Sequence, residues 1–341
     1  MMRVCSVLLS LLLIGCHPAS SIPAHFVLTP WPGSEVVALV DDPAAELGSN
    51  SSGATYQPAS PSQPGYLWVV KNGPATLHQL SFNTASGRWS PVRDWTLTTL
   101  SGATPDSESV AKTNWDSDVV YIASEKEDEE SKLSIIAFDT AQGTPVAEWD
   151  LTHDEDNPES VELDVGSNAG WEGLTWIPDA DLITAGFYDQ RLHKPYDPND
   201  YPAHGDGLFL AALEQNGDIY AYALNHEDSL FHKIAVISVG FPHLMGLEYD
   251  RDNAVLWAHC DDDCGNVTGI LQIDGVPGSA TQGSFVLSTV LTHPAALANA
   301  NHEGIALAPE AECADGGRQV FWVNDAGKPG STVSAGVVRC D

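Results

Sequence analysis

Short apolar runs rich in Val, Ile, Leu, Tyr and Trp, broken by Gly, Pro, Asn, Asp and Ser, succeed one another from residue 35 to the C-terminus with almost no helical periodicity. Half-buried strands read this way, because side chains alternate between the faces of a sheet and tight turns need residues that tolerate them. The runs also recur in a set order. Trp171-Glu172-Gly173-Leu174-Thr175-Trp176 opens one unit, and His302-Glu303-Gly304-Ile305-Ala306-Leu307 echoes it. Ser52-Gly53-Ala54-Thr55-Tyr56, Glu108-Ser109-Val110-Ala111 and Met245-Gly246-Leu247-Glu248-Tyr249 keep the outline of a polar or small pair before an apolar run. Copies recurring every ~60 residues are the mark of a repeat architecture.

A four-stranded blade with generous loops fits that period, so the fold expected is all-β, a β-propeller of five blades, or six if the long third unit hides another. The first unit has expected strands at 52–56, 66–70, 76–82 and 92–97, and the second at 108–111, 119–123, 133–138 and 146–151. The third opens at Trp171, continues at 182–188 and, after an insertion at 189–206, resumes at 208–213 and 219–224. The fourth has 245–249, 255–259, 269–273 and 285–291. The fifth has 303–308, 320–323 and 333–338 and lacks an outer strand, which residues 35–40 could supply to close the ring.

The N-terminus reads as a targeting segment. Arg3 precedes an apolar stretch at 7–14 and then small residues, as in a secretory signal, and the stretch is too short to span a membrane. Leu13-Ile14-Gly15-Cys16 resembles a bacterial lipobox, in which the cysteine carries lipid, and His17 after it favours an outer-membrane or surface anchor. Residues 1–16 are thus expected to be a signal, 17–34 a flexible lead, and 35–341 the propeller. An ordinary cleaved signal ending near 19–21, with release of the protein, is the alternative. Setting aside Cys5 and Cys16, an even four cysteines remain in an exported chain, and the preferred pairing is Cys260 with Cys264 and Cys313 with Cys340.

Charge narrows the partners. With 47 acidic and 14 basic residues, a formal −33, the chain lacks the basic footprint that nucleic acid or an anionic membrane surface requires. Membrane contact is expected only through the N-terminal lipid, the chain is read as a monomer, and cations are its natural guests.

Propeller topology then gathers the chemistry. The start of each innermost strand lies beside the end of the next, so these positions should share one mouth of the central channel. They include Glu108 with Glu125, Glu172 with Asp189, and Glu303 with Asp325. Crowded carboxylates raise each other's pKa unless a cation sits among them, and calcium, a hard ion content with about six to eight oxygens, is the match. The expected metal residues are Glu108, Glu172, Glu303, Asp189 and Asp325. Lys71, Lys126, Arg191, Lys194 and Lys328 should edge the same mouth and suit an anionic small-molecule substrate. His302 is a candidate general base, with Lys126 and Arg191 steering the anion. The insertion 189–206, with His193, Tyr196, Tyr201 and His204, is expected beside Glu172 as a lid. No Gly-x-Ser-x-Gly elbow, His-Glu-x-x-His or phosphate-cradling glycine loop occurs.

Asn301-His302-Glu303-Gly304-Ile305-Ala306-Leu307 followed by Val320-Phe321-Trp322-Val323-Asn324-Asp325, and Gly170-Trp171-Glu172-Gly173-Leu174-Thr175-Trp176, resemble the Glu-Gly-Ile-Ala blades of the exported phytase-like propellers, the esterase-like proteins of the phytase group. They are also similar to the wider set of calcium-dependent propeller hydrolases, lactonases included. The resemblance implies a calcium-binding propeller with hydrolase potential, Glu172 and Glu303 matching the inner-strand glutamates. Met245 and Ser52 at equivalent positions depart from the pattern and remove two carboxylates. The expected function is hydrolysis of a small phosphorylated or ester substrate at the mouth; a non-catalytic surface binding propeller is the alternative.

Overall fold

The apolar runs become strands close to where their alternation places them. Blade I comprises Ser51–Gln57, Tyr66–Asn72, Ala75–Asn83 and Arg88–Thr96; blade II comprises Pro105–Ala111, Val119–Glu127, Glu130–Asp139 and Thr144–Asp150. Trp171–Pro178, Gly207–Leu213, Asp218–Leu224 and Phe231–Ser238 form blade III, and Gly246–Asp250, Val255–His259, Thr268–Ile273 and Phe285–Leu291 form blade IV. His302–Leu307, Gly317–Asn324 and Val333–Arg339 belong to blade V. The structure is a computed structural model and describes residues 26–44, 47–128, 130–152, 169–328 and 330–340. The expected signal segment 1–16, Cys16 and the first part of the lead lie outside the described residues.

Each blade is an antiparallel meander, and the first strand of each touches the first strands of its two neighbours, so the five close into a ring. The molecule is a five-bladed β-propeller. Ala38–Leu39 completes blade V as its outer strand, Ala38 opposite Ala335 and Leu39 opposite Ser334, as the unpaired run at 35–40 implies. Between blades the inward faces interlock in aromatic layers: Trp149, Trp171 and Tyr222 between II and III, and Tyr56, Trp89 and Phe321 between V and I. Burying a large apolar side chain contributes roughly 1.5–3 kcal/mol, so these layers, repeated around the ring, hold the blades in place. The cysteines stand as the expected pairs, Cys260 with Cys264 and Cys313 with Cys340.

Two stretches differ from expectation. Part of the lead is docked: Leu28–Thr29 runs parallel to the outer strand of blade IV, and Trp31 is buried between Trp257 and Trp322 with its indole N–H donating to the Val337 carbonyl (3.0 Å). Residues 182–188 are not the second strand of blade III. Their first half belongs to the α-helix Asp179–Ala185, after which the chain turns away. Pro178 precedes the helix, Asp179 and Asp181 lie in its first turn where the helix dipole favours negative charge, and Gly186 closes it at φ 73°. The second strand is Gly207–Leu213. The insertion it leaves upstream is packed: Phe187, Tyr196 and Tyr201 join the core, and the Gln190 side-chain amide exchanges hydrogen bonds with the Val236 backbone (2.9 and 3.1 Å), covering the outer edge of blade III.

Candidate functional site

Three of the innermost strands begin with the same irregularity. In blade II Ser107 pairs with Ser124 and Ser109 with Ala123; in blade III Trp171 pairs with Leu213 and Gly173 with Ala212; in blade V His302 pairs with Asn324 and Gly304 with Val323. The residue skipped each time is Glu108, Glu172 or Glu303. Each glutamate is thus the extra residue of a β-bulge, a device that re-aims a side chain where ladder pairing is interrupted. The residue after it must be small. A Cβ on Gly304 would stand 2.5 Å from the Ser52 carbonyl oxygen, and one on Gly53 would stand 2.5 Å from the Ser109 Cα. Blade II carries Ser109 instead, whose hydroxyl accepts the Leu174 N–H across to blade III (3.0 Å). The Glu-Gly signature is therefore a bulge followed by close approach to the axis.

The bulges bring the three glutamates together. Glu108, Glu172 and Glu303 each offer a carboxylate oxygen, all within 4.8 Å of one another, and the residues are only 2%, 4% and 8% exposed. Glu108 accepts two hydrogen bonds from the Asn72 amide (3.1 and 3.3 Å), and Glu303 Oε1 accepts one from Asn301 (2.8 Å), whereas the buried Glu303 Oε2 has no hydrogen-bond partner. Ionised carboxylates at this range repel by about 3 kcal/mol per pair at an effective dielectric of about 20. Burial first, and then the neighbouring carboxylates, hold Glu108 and Glu172 well above the usual carboxylate range. Burial and then Asp325 push Glu303 up to about 8.

A second tier surrounds the trio. Asp106, Glu108 and Glu125 also lie within 4.8 Å, and here a counter-charge is present: Lys126 Nζ donates to Glu125 (2.7 Å) and Asp106 (2.8 Å), while Glu125 also accepts the Gly170 N–H (2.8 Å). Lys126 is thus at the mouth as expected, engaged with carboxylates. Asp325 sits beside Glu303 and is raised chiefly by burial.

Asp189 and Arg191 lie elsewhere. The insertion joins Pro178 to Gly207, the end of blade III remote from the Trp171 and Leu213 pairing, and the seven-residue strand between spans ~20 Å. Asp189 is buried there with its own partners, accepting the Tyr201 hydroxyl and the Leu192 N–H (2.8 Å). Arg191 and Lys194 belong to the same segment, so the insertion is no lid over Glu172. His302 flanks Glu303 yet faces another way. Its Nε2 meets the Ala298 carbonyl (3.0 Å), it is 1% exposed, and burial pushes its pKa down.

The position that Asp189 was expected to fill is held by Glu214, directly after the true second strand of blade III. Its carboxylate is 22% exposed, with His243 Nδ1 4.0 Å away, and burial pushes it up to about 7 against the pull of His243. The trio is shut away from water, but Glu214 is open to it. The arrangement offers oxygen donors alone at the trio and one accessible group that exchanges a proton near neutrality. A comparison of the chain with models of known protein families finds no match, and neither does a comparison with curated proteins.

Proposed function

We propose that the acidic mouth holds a divalent cation, calcium by the chemistry of its donors, and that the protein hydrolyses a small ester or phosphoester there. The observation that carries this reading is the convergence of Glu108, Glu172 and Glu303 within 4.8 Å, buried, with Glu303 Oε2 left unpartnered. Carboxylate oxygens without nitrogen or sulfur suit a hard cation, and irregular geometry suits calcium better than magnesium. The similarity of the Glu172 and Glu303 motifs to those of calcium-dependent propellers points the same way. When bound, such an ion would supply Lewis-acid polarisation of a scissile carbonyl or phosphoryl group. The chain's own residues do the rest: Asn72 and Asn301 orient Glu108 and Glu303, Lys126 adds positive charge at the rim, and Glu214 takes or gives a proton at its carboxylate.

One observation favours a second reading. The trio is so enclosed, at most 8% exposed, that a cation there could serve only to brace the ring, leaving a non-catalytic binding propeller. Thermal melting of the purified protein in chelator and in millimolar calcium, followed by ester, phosphoester and lactone assays, separates the cases. A rise in melting temperature with calcium-dependent turnover supports the hydrolase. A rise without turnover supports the brace, and no rise removes both, because a ligand that binds only the native state must stabilise it.

A further inference from the structure

The inner strands run from the acidic mouth to the opposite face of the ring, and the residues at that face have a different chemistry. The last residues of all five inner strands wall a cavity of ≈ 170 Å³ at the face opposite the acidic mouth. Two of the chain's 14 basic residues, Lys112 and Arg251, line it without a carboxylate within 4.0 Å among the described residues. Arg251 lies over two indoles, its guanidinium carbon 4.7 Å from the centre of the Trp115 ring and 5.2 Å from that of Trp176. Among the described residues one hydrogen bond is found for it, from Nη2 to the Lys112 carbonyl (3.1 Å). Lys112 Nζ donates to the Ser117 carbonyl (2.7 Å) and stands 5.0 Å from the Trp68 ring. A third cation, Arg318, is spoken for by Asp250 and Glu310.

A guanidinium carries its donors in one plane, a fork that a carboxylate matches with two parallel hydrogen bonds. Glu248 shares the cavity. Burial holds its carboxyl well above the usual carboxylate range, against the pull of Arg251. Tyr56, Trp115 and Trp176 give the cavity aromatic walls. Asp250 and Asp252 also line the cavity, Asp250 paired with Arg318 and Asp252 accepting the Glu310 N–H, so in a chain of charge −33 it sets two cations without carboxylate partners of their own beside aromatic walls.

We propose that this cavity is a second binding site, separate from the acidic mouth, which takes a small aromatic carboxylate, its carboxylate on Arg251 and Lys112 and its ring against Trp115 and Trp176. The site stands apart from the metal reading, so it is tested in chelator. Calorimetric titration of the full protein with benzoate and indole-3-acetate is expected to show one saturable site for at least one of them. Benzamide and benzylamine, the neutral and cationic controls, should bind at least tenfold more weakly. Arg251→Gln should weaken the carboxylate at least tenfold, and Glu172→Gln should leave its affinity within twofold. If Arg251→Gln does not fold, as judged by circular dichroism, Lys112→Met takes its place with the same expected loss. Failure of both acids to bind at millimolar concentration, equal binding of benzamide, or affinity retained in the folded cavity variant would each overturn the assignment.

Discussion

Glu303 is where charge and burial conflict most plainly. Its carboxyl titrates at about 8 in the folded protein, against an ordinary 4.5, so the folded state binds the extra proton between those values. Stability that is fully present below about pH 4.5 is therefore lost as pH rises through about 8, and Glu214, raised to about 7, acts in the same direction. In chelator the melting temperature should fall between pH 5 and 8, and calcium should flatten that slope. Glu303→Gln should behave oppositely in the two conditions: in chelator at pH 8 it stabilises by a few kcal/mol, and it removes most of the calcium-induced rise. Calorimetry of wild type and variant at both pH values decides this. A Glu303→Gln protein that still gains the full calcium shift would place the ion elsewhere. At the neighbouring level of the axis, Ser109→Ala leaves the buried Leu174 N–H without its acceptor and should cost about 1–3 kcal/mol in urea unfolding.

At the scale of elements, much was readable from the chain because a propeller blade repeats its own grammar. Strands such as Phe285–Leu291 were legible from apolar alternation and flanking turn residues, and so was the lone run at 35–40, which had no partner in its own unit. The glutamates were legible as a motif, though not as bulges, since nothing in one sequence shows that Glu172 is skipped by the ladder. Blade III misled for a physical reason. Leu182, Ile183, Phe187 and Tyr188 form an apolar run that a strand or a buried helix would both carry, and length alone did not separate them. The Pro178-Asp179 start and the Gly186 stop were the signal for a helix. That helix puts the second strand at Gly207–Leu213, so Glu214 rather than Asp189 follows it, and Arg191 lies at the other end of the channel. The docked lead makes a prediction of its own. Trp31→Ala empties an aromatic slot between Trp257 and Trp322 and should destabilise the protein by about 3–5 kcal/mol, read from chemical unfolding. An effect below about 1 kcal/mol would mean that residues 28–34 contribute little.

For the whole molecule, the two mouths divide the charge. Acidic groups crowd one end of the axis, while at the other Lys112, Arg251 and Arg318 stand among Glu248, Asp250 and Asp252, so the excess of negative charge within the overall −33 is greater at the first. Net charge this large works against the compact state through self-repulsion, and salt screens it over about 10 Å at 0.1 M. Raising sodium chloride from about 0.05 to 0.5 M should therefore raise the melting temperature in chelator, and by less once calcium is present. Scanning calorimetry across that series checks it, and melting independent of salt would show that repulsion is not limiting.

The strand pairing that closes blade V has a consequence in time. Ala38–Leu39 leaves the ribosome well before its partner Val333–Arg339. At about 5–20 residues per second, roughly 300 residues and 15–60 s of synthesis separate the two. Throughout that interval the first strand to be made is without its partner, while blades I to IV are added behind it. The closed ring therefore requires the chain through blade V, and a chain interrupted before residue 333 lacks the strand to which Ala38–Leu39 pairs.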